Sequence, residues 1–255
     1  MKTRRSSAAD LVACFLRETT AARKAGQEAR PTTRRGPGLL LFLCLVAVSA
    51  AGQGKAPEAA ATQPPVGQWQ SLFDGKSLAG WKETPFSGHG PVRVENEAII
   101  LGAGAMTGVT WTKWFPTSNY EIRLEAARLE GRDFFAGITF PVFDSFCSWI
   151  NGGWNGGVVG LSSLDGYDAS ENETSFFRQF ERGQWYKLRL QVTGRYIAAW
   201  IDEEQVVYVD LGTRAVGLRE GEIELSKPLG IASYGTTAGL RKLEYRLLAP
   251  PGGAQ

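Results

Sequence analysis

From Trp69 to Leu247 the apolar side chains recur at every second residue. Tyr120-Glu-Ile-Arg-Leu-Glu-Ala126 alternates apolar with charged. In Trp185–Val192 the residues Tyr186, Leu188, Leu190 and Val192 share one side, and Leu243-Glu-Tyr-Arg-Leu247 repeats the pattern. Successive side chains of a strand point to opposite faces, so this period describes half-buried strands, not helices. Further strands are predicted at Val92–Val94, Ala98–Leu101, Val109–Trp114, Phe134–Phe140, Val158–Leu161, Tyr196–Ile201, Val206–Val209 and Gly230–Ser233. No window after residue 69 carries an amphipathic helix. Turn signals such as Asp74-Gly75, Asn151-Gly152-Gly153, Asp165-Gly166 and Thr193-Gly194 punctuate the runs, and the 31 glycines and eight tryptophans suit tight turns and pleated surfaces. Roughly a dozen strands, each hiding one apolar face, are best buried with short connections by two stacked antiparallel sheets. The expectation is one all-β sandwich over residues 67–248, with 249–255 as a tail.

The N-terminal part reads differently. Residues 39–51, LLLFLCLVAVSAA, follow Arg34 and Arg35 and end in small residues. Val48-Ser49-Ala50 fits a signal-peptidase site, and the run is shorter than the roughly 20 residues of a spanning helix. Export to the periplasm or the medium is expected, with a retained membrane anchor as the alternative. Residues 1–33 are long and basic for a leader. They read either as an extension of the gene model, with a start at a non-Met codon, or as a cytoplasmic tail. Residues 52–66, rich in Ala, Pro and Gln, read as a flexible linker. The net charge is only +2, with much of the basic excess in the first 35 residues, which leaves no electrostatic case for a nucleic-acid partner. Cys147 is the one cysteine after the apolar run, so no disulfide staples the domain. Its apolar neighbours Phe146 and Trp149 suit a buried, inert thiol.

Three blocks carry a family resemblance. They are Gly67-Gln-Trp-Gln-Ser-Leu-Phe-Asp-Gly-Lys-Ser-Leu-Ala-Gly-Trp-Lys82, then Asn119-Tyr-Glu-Ile-Arg-Leu-Glu125 with Ala136-Gly-Ile138, and Gly183-Gln-Trp-Tyr-Lys-Leu-Arg-Leu190 with Ala198-Ala-Trp-Ile-Asp202 and Pro228-Leu-Gly-Ile231. Together they resemble the 3-keto-disaccharide hydrolase domain. The resemblance implies a concanavalin A-like jelly roll and an activity on glycosides, with cleavage of 3-keto sugars as the named reaction. The chain departs from the family pattern in its middle. Where many members carry an Asn-Ser-Gly-Ile block followed by a Glu-containing strand with histidines nearby, it reads Phe134-Phe-Ala-Gly-Ile-Thr-Phe140 and then Ser145–Trp154. Its single histidine is His89, so no mechanism that needs several histidines can operate.

The segment Asn151–Glu173, NGGWNGGVVGLSSLDGYDASENE, collects the groups a sugar site uses. An aromatic plate meets the C–H face of the ring, and amides and carboxylates meet the hydroxyls. Substrate binding is assigned to Asn151, Trp154, Asn155 and Tyr167. Glycoside cleavage draws on a pair of carboxyl groups from Asp165, Asp168, Glu171 and Glu173. Elimination from a 3-keto sugar needs only a base and an oxyanion stabiliser, the latter from Arg178 or Lys113. The same segment is equally well read as hairpin turns with solvated acids. Asp165, Asp168 and Glu171 also offer oxygens to Ca²⁺, without EF-hand spacing. Trp69, Trp81 and Trp185 are expected in the core, and Trp111, Trp114 and Trp149 fit either core or surface. His89 reads as a loop residue, and Asp202-Glu-Glu204 as a hairpin turn. A glycoside-cleaving enzyme and a non-catalytic carbohydrate-binding module both remain open.

Overall fold

The structure, a computed structural model, describes residues 63–250. The apolar segment 39–51, the basic stretch before it, most of the linker and the end of the tail lie outside the described residues. Fifteen strands form two antiparallel sheets. The first sheet has the order β13 (Glu204–Asp210), β12 (Tyr196–Ile201), β11 (Trp185–Val192), β6 (Tyr120–Gly131), β15 (Thr236–Leu247), β4 (Ala98–Leu101) and β3 (Val92–Glu95). The short β1 (Gln70–Ser71) also pairs with β15. The second has the order β10 (Phe176–Phe177), β9 (Val158–Ser162), β8 (Ser145–Gly153), β7 (Gly137–Val142), β14 (Gly230–Ser233), β5 (Thr107–Trp111) and β2 (Trp81–Glu83).

The alternation read from the sequence sets the registers. Leu188 stands opposite Leu124, Leu190 opposite Ile122, and Val192 opposite Tyr120, so the whole apolar set of β11 and β6 turns inward together. On the second sheet Ile138 faces Trp149, and Trp149 faces Leu161. These side chains are buried in one core, each contributing about 1.5–3 kcal/mol. Trp149 and Cys147 lie on the inner face, and burial pushes the Cys147 thiol up to about 12. Trp81 is buried as expected, with its Nε1–H donating to Leu72 O at 2.7 Å.

Three sequence expectations change. Asn151-Gly152-Gly153 belongs to β8 and is not a free turn, because Asn151 pairs with Val159. β5 ends at Trp111 and β7 begins at Gly137, which leaves Trp114 and Phe134 in connections. Trp69 and Trp185 are not core residues. Each lies on the outer face of the first sheet under an arginine, Arg123 at 3.9 Å from the Trp69 ring centre and Arg241 at 4.0 Å from that of Trp185.

That outer face is built from charge. The Glu121 side chain is 1% exposed although it points away from the core. It accepts from Arg246 Nη2 at 2.7 Å, while Arg189 packs beside it and stacks on Trp200 at 3.6 Å. The outer face of the second sheet is instead a row of small residues. Thr110, Gly230, Thr139, Ser148 and Ser162 are cross-strand neighbours, and all are buried. What covers them is the connection 211–229 between β13 and β14, which crosses this face as a strap and contains a 3-10 helix at Glu222–Ser226. Gly230 permits the close approach, since a Cβ there would lie 2.6 Å from the Ser226 Cβ and O.

Removing the carboxylate of Glu121 leaves two arginines facing each other over a packed sheet. Glu121→Ala is expected to cost about 1.5–3 kcal/mol in urea unfolding. Glu95→Ala, which breaks an ion pair whose two side chains are each 52% exposed, should cost less than about 1 kcal/mol.

Candidate functional site

Between the strap and the end of the second sheet lies a cleft of about 420 Å³. Its floor is sheet: Ser148 and Ile150 from β8 and Ser162 from β9. Three connections at one end of the sandwich supply a wall. The β6–β7 connection brings Asp133 and Phe134, the β8–β9 turn brings Trp154, and the β14–β15 turn brings Tyr234. The strap supplies the other wall with Arg219, Glu220, Glu222 and Ile223.

Hydrogen bonds fix most of these groups. Phe134 and Tyr234 stack with ring centres 5.9 Å apart, and the Tyr234 N–H donates to Phe134 O at 3.0 Å. Asp133 Oδ1 accepts from the Phe134 N–H at 2.8 Å, and Oδ2 from the Asn155 N–H at 3.2 Å, so both its oxygens are tied to the walls. Glu222 accepts from the Ser87 hydroxyl and, at 2.8 Å, from the Ser87 N–H. These two bonds, the hydroxyl's first, hold its carboxyl below the ordinary value of 4.5. Glu220 is exposed and makes no side-chain hydrogen bond among the described residues. The cleft thus presents three carboxylates and one guanidinium, with its aromatic plates all on the wall opposite the strap. It suits a neutral or cationic hydroxylated ligand better than an anion.

Trp154 reaches the cleft because the turn beneath it is braced. Trp154 and Asn155 have φ of 48° and 67°, left-handed values that an L-residue keeps only when its surroundings enforce them. Arg128, buried in the body of the sandwich, supplies the bracing. Its Nη2 donates to Gly156 O at 2.6 Å and reaches Gly152 O at 3.5 Å. Both glycines have positive φ, and a Cβ on either would meet the Arg128 nitrogens.

The residues singled out from the sequence scatter. Trp154 lines the cleft, 41% exposed, and Asn155 lies in the same turn with only its backbone N–H on Asp133. Asn151 is fully buried on the inner face, where its Nδ2 donates to Ala136 O at 3.0 Å, so it cannot touch a ligand. Asp165 and Glu173 both bind Arg214 outside the cleft lining. The Ala215 N–H first, and then Arg214, hold Asp165 below the usual carboxylate range, and Arg214 does the same for Glu173. Asp168 reaches Arg219 at 3.4 Å, so it contacts the strap without lining the cleft. Glu171 and Tyr167 are exposed and outside the lining. Arg178 pairs with Asp202 and Glu204 at the β12–β13 hairpin, and Lys113 lies over Trp111, so neither can serve this cleft as oxyanion stabiliser. His89 is exposed, with Nδ1 on Gly90 O. Of the acids expected to offer Ca²⁺ a cage, Asp165 and Asp168 are paired with arginines and Glu171 is exposed, and among the described residues no three His, Cys, Asp or Glu side chains converge to hold a metal.

Asp133, Phe134, Arg219, Glu220, Glu222 and Tyr234 were not singled out from the sequence. One signal was present: residues 211–229 are too long for an ordinary hairpin connection, and long structured loops are commonly functional.

Two outcomes follow. Arg128→Met removes the donor that braces the turn and should cost about 1–3 kcal/mol, with hydrogen exchange accelerating first at the amides of residues 152–157. Glu222 has a depressed pKa in the folded state, so its hold on Ser87 is complete above 4.5 and is lost as pH falls through the lowered folded value. Exchange of strap amides should rise over that acid window in the native protein, and Ser87→Ala, which keeps only the backbone N–H donor, should shrink the pH step and move it toward 4.5.

The sequence matches the 3-keto-alpha-glucoside-1,2-lyase-like domain family over residues 68–246. No curated protein matches the chain. Among solved structures, a carbohydrate-binding module from Bacillus subtilis aligns with a TM-score of 0.45 at 12% identity, covering 66% of this chain and 95% of the module. Domain 4 of an extracellular arabinanase from Geobacillus stearothermophilus, solved with arabinotriose, gives 0.46 at 13% identity, covering 72% and 93%. An apo transglycosylase gives 0.49 at 12%, covering 72% and 85%. The family match spans the sandwich from the residue before Trp69 almost to the end of β15, and the chain belongs to the 3-keto-alpha-glucoside-1,2-lyase-like domain family.

Proposed function

We propose that the cleft binds a 3-keto glycoside and cleaves its glycosidic bond. The observation that carries this reading is the convergence of the unpartnered carboxylate of Glu220, the Arg219 guanidinium and the Trp154 indole in one cleft. In such a sugar the C3 ketone acidifies the C2–H. Glu220 takes that proton as base, and charge develops on the C3 oxygen, where Arg219 stabilises it. As the C3 carbonyl reforms, the electron pair makes a C1–C2 double bond and the C1–O bond breaks. The leaving oxygen receives the proton and departs as an alcohol. Trp154 and the Phe134–Tyr234 pair pack against the sugar, and Asp133 and Glu222 accept hydrogen bonds from its hydroxyls. This route needs no histidine, which agrees with His89 lying outside the cleft lining.

A second reading, a carbohydrate-binding module without chemistry, is favoured by one observation: Glu220 and Glu222 are exposed and Asp133 is half-buried, so no acid of the cleft is enclosed. Incubation with 3-keto-glucosides, followed by sugar analysis, separates the two. The enzyme reading expects an unsaturated keto sugar and free alcohol. Glu220→Gln should then lower kcat/KM by about 10²–10⁴-fold, and Arg219→Met by about 10²–10³-fold. Trp154→Ala should act mainly on KM, by about tenfold for a lost contact of ~1.4 kcal/mol. Binding without turnover would establish the module, and unchanged kinetics in Glu220→Gln would remove that residue from the mechanism.

A further inference from the structure

A second hollow, of about 310 Å³, lies away from the cleft. The connection Trp114–Asn119 forms one side of it, and residues near Gln63 and Leu248 form the other. β6 starts at Tyr120, next to Asn119, and ends at Gly131, two residues before Asp133 of the cleft. A strand of that length spans about 35 Å at ~3.3 Å per residue, a distance no disaccharide bridges.

The connection is pinned. The Phe143 N–H donates to Thr117 O at 2.7 Å, the Leu248 N–H to Asn119 O at 2.7 Å, the Gly194 N–H to Asn119 Oδ1 at 3.0 Å, and the Trp111 indole to Trp114 O at 3.3 Å. On this fixed frame Trp114 keeps its indole 48% exposed. Beside it stand the hydroxyls of Thr117 and Ser118 and the amides of Asn119 and Gln63. Neither hydroxyl, nor the Asn119 Nδ2, nor the Gln63 amide has a hydrogen-bond partner among the described residues. Among the described residues no ionisable side chain lines the hollow, whereas the cleft carries four. An apolar plate bordered by uncharged donors and acceptors matches a molecule with one C–H face and an equatorial belt of hydroxyls, and a charged ligand would find no counter-charge there.

We propose that this hollow is a second, non-catalytic site for one ring of a neutral saccharide, stacked on Trp114. The site does not depend on the chemistry of the cleft. With two sites on one domain, a polymer held at Trp114 raises the local concentration of its other segments at the cleft.

The test is affinity gel electrophoresis of the full chain through neutral polysaccharides (a β-glucan, an α-glucan, an arabinan and a xylan), with a polygalacturonan gel as the anionic control and gel filtration of each variant alongside. Trp154→Ala and Trp114→Ala are run singly and together. The proposal expects at least one of the neutral gels to retard Trp154→Ala, and Trp114→Ala to remove that retardation while leaving any turnover of small 3-keto-glucosides unchanged. Ser118→Arg, which fills the hollow and charges it, should act like Trp114→Ala, with thermal melts confirming that both variants fold. Equal migration of the Trp154→Ala protein and the double variant in every gel overturns the proposal. So does retardation confined to an anionic polysaccharide, or a Trp114→Ala effect seen only as a change of gel-filtration volume, which would make the hollow a contact between two copies of the chain. Loss of turnover in Glu220→Gln with Trp114-dependent binding intact would separate the two sites. Absence of any turnover would overturn the enzyme reading and leave this one standing.

Discussion

Everything in the domain hangs on the burial of one face of β6. This strand lies in the middle of the larger sheet, with β11 on one side and β15 on the other, and Tyr120, Ile122, Leu124 and Ala126 fill its inward positions. A slip of one residue would send Glu121, Arg123 and Glu125 into the core and put the apolar set in water, so the register has no near competitor. The outward carboxylates then find arginines on the neighbouring strands at once. The same register that hides the apolar side chains assembles the charged lattice of Glu121, Arg189 and Arg246.

The second sheet solves a different problem. Over β5, β14 and β7 its outer face is neither solvated nor packed against another sheet. A covering peptide segment lies on it, and a segment can approach a sheet closely only over small side chains. Thr110, Gly230, Thr139, Ser148 and Ser162 provide that low surface, and Thr110 Oγ1 donates to Leu225 O at 3.2 Å. The 211–229 connection is further tied by the mutual backbone bonds of Ser163 and Gly217 and by Ser145 Oγ on Val216 O. Where the covering segment stops short of the end of the sheet, the cleft opens, and the turns at that end point their aromatic and acidic side chains into it.

The fold was legible because alternation is a local property. Trp185–Val192 and Tyr196–Ile201 appear in the structure with the bounds expected of them. Tyr120–Ala126 was seen but continues to Gly131, since the bulged pairing with β15 lets the pattern break without ending the strand. The cleft was legible only at Trp154. Asn151 looked like a turn residue because it precedes two glycines, yet it is fixed in the ladder, and those glycines accommodate a buried arginine. Asp165 and Glu173 stood among the four acids from which a catalytic pair was expected, but Arg214 binds both of them. Glu220 and Glu222 are distant in sequence from Trp154 and Asp133. Their meeting depends on how the covering segment is anchored, which no period in the sequence encodes.

The first and last strands of the sandwich are neighbours. The Gly67 N–H donates to Leu247 O at 2.8 Å, and Gln70 and Ser71 pair antiparallel with Tyr245 and Glu244. A tension applied through the flanking chain would therefore load these bonds one after another, as a zipper, and not all together in shear. The domain would yield to a pull first by peeling β1, which carries little of the core, while β6 and the cleft it leads to kept their shape.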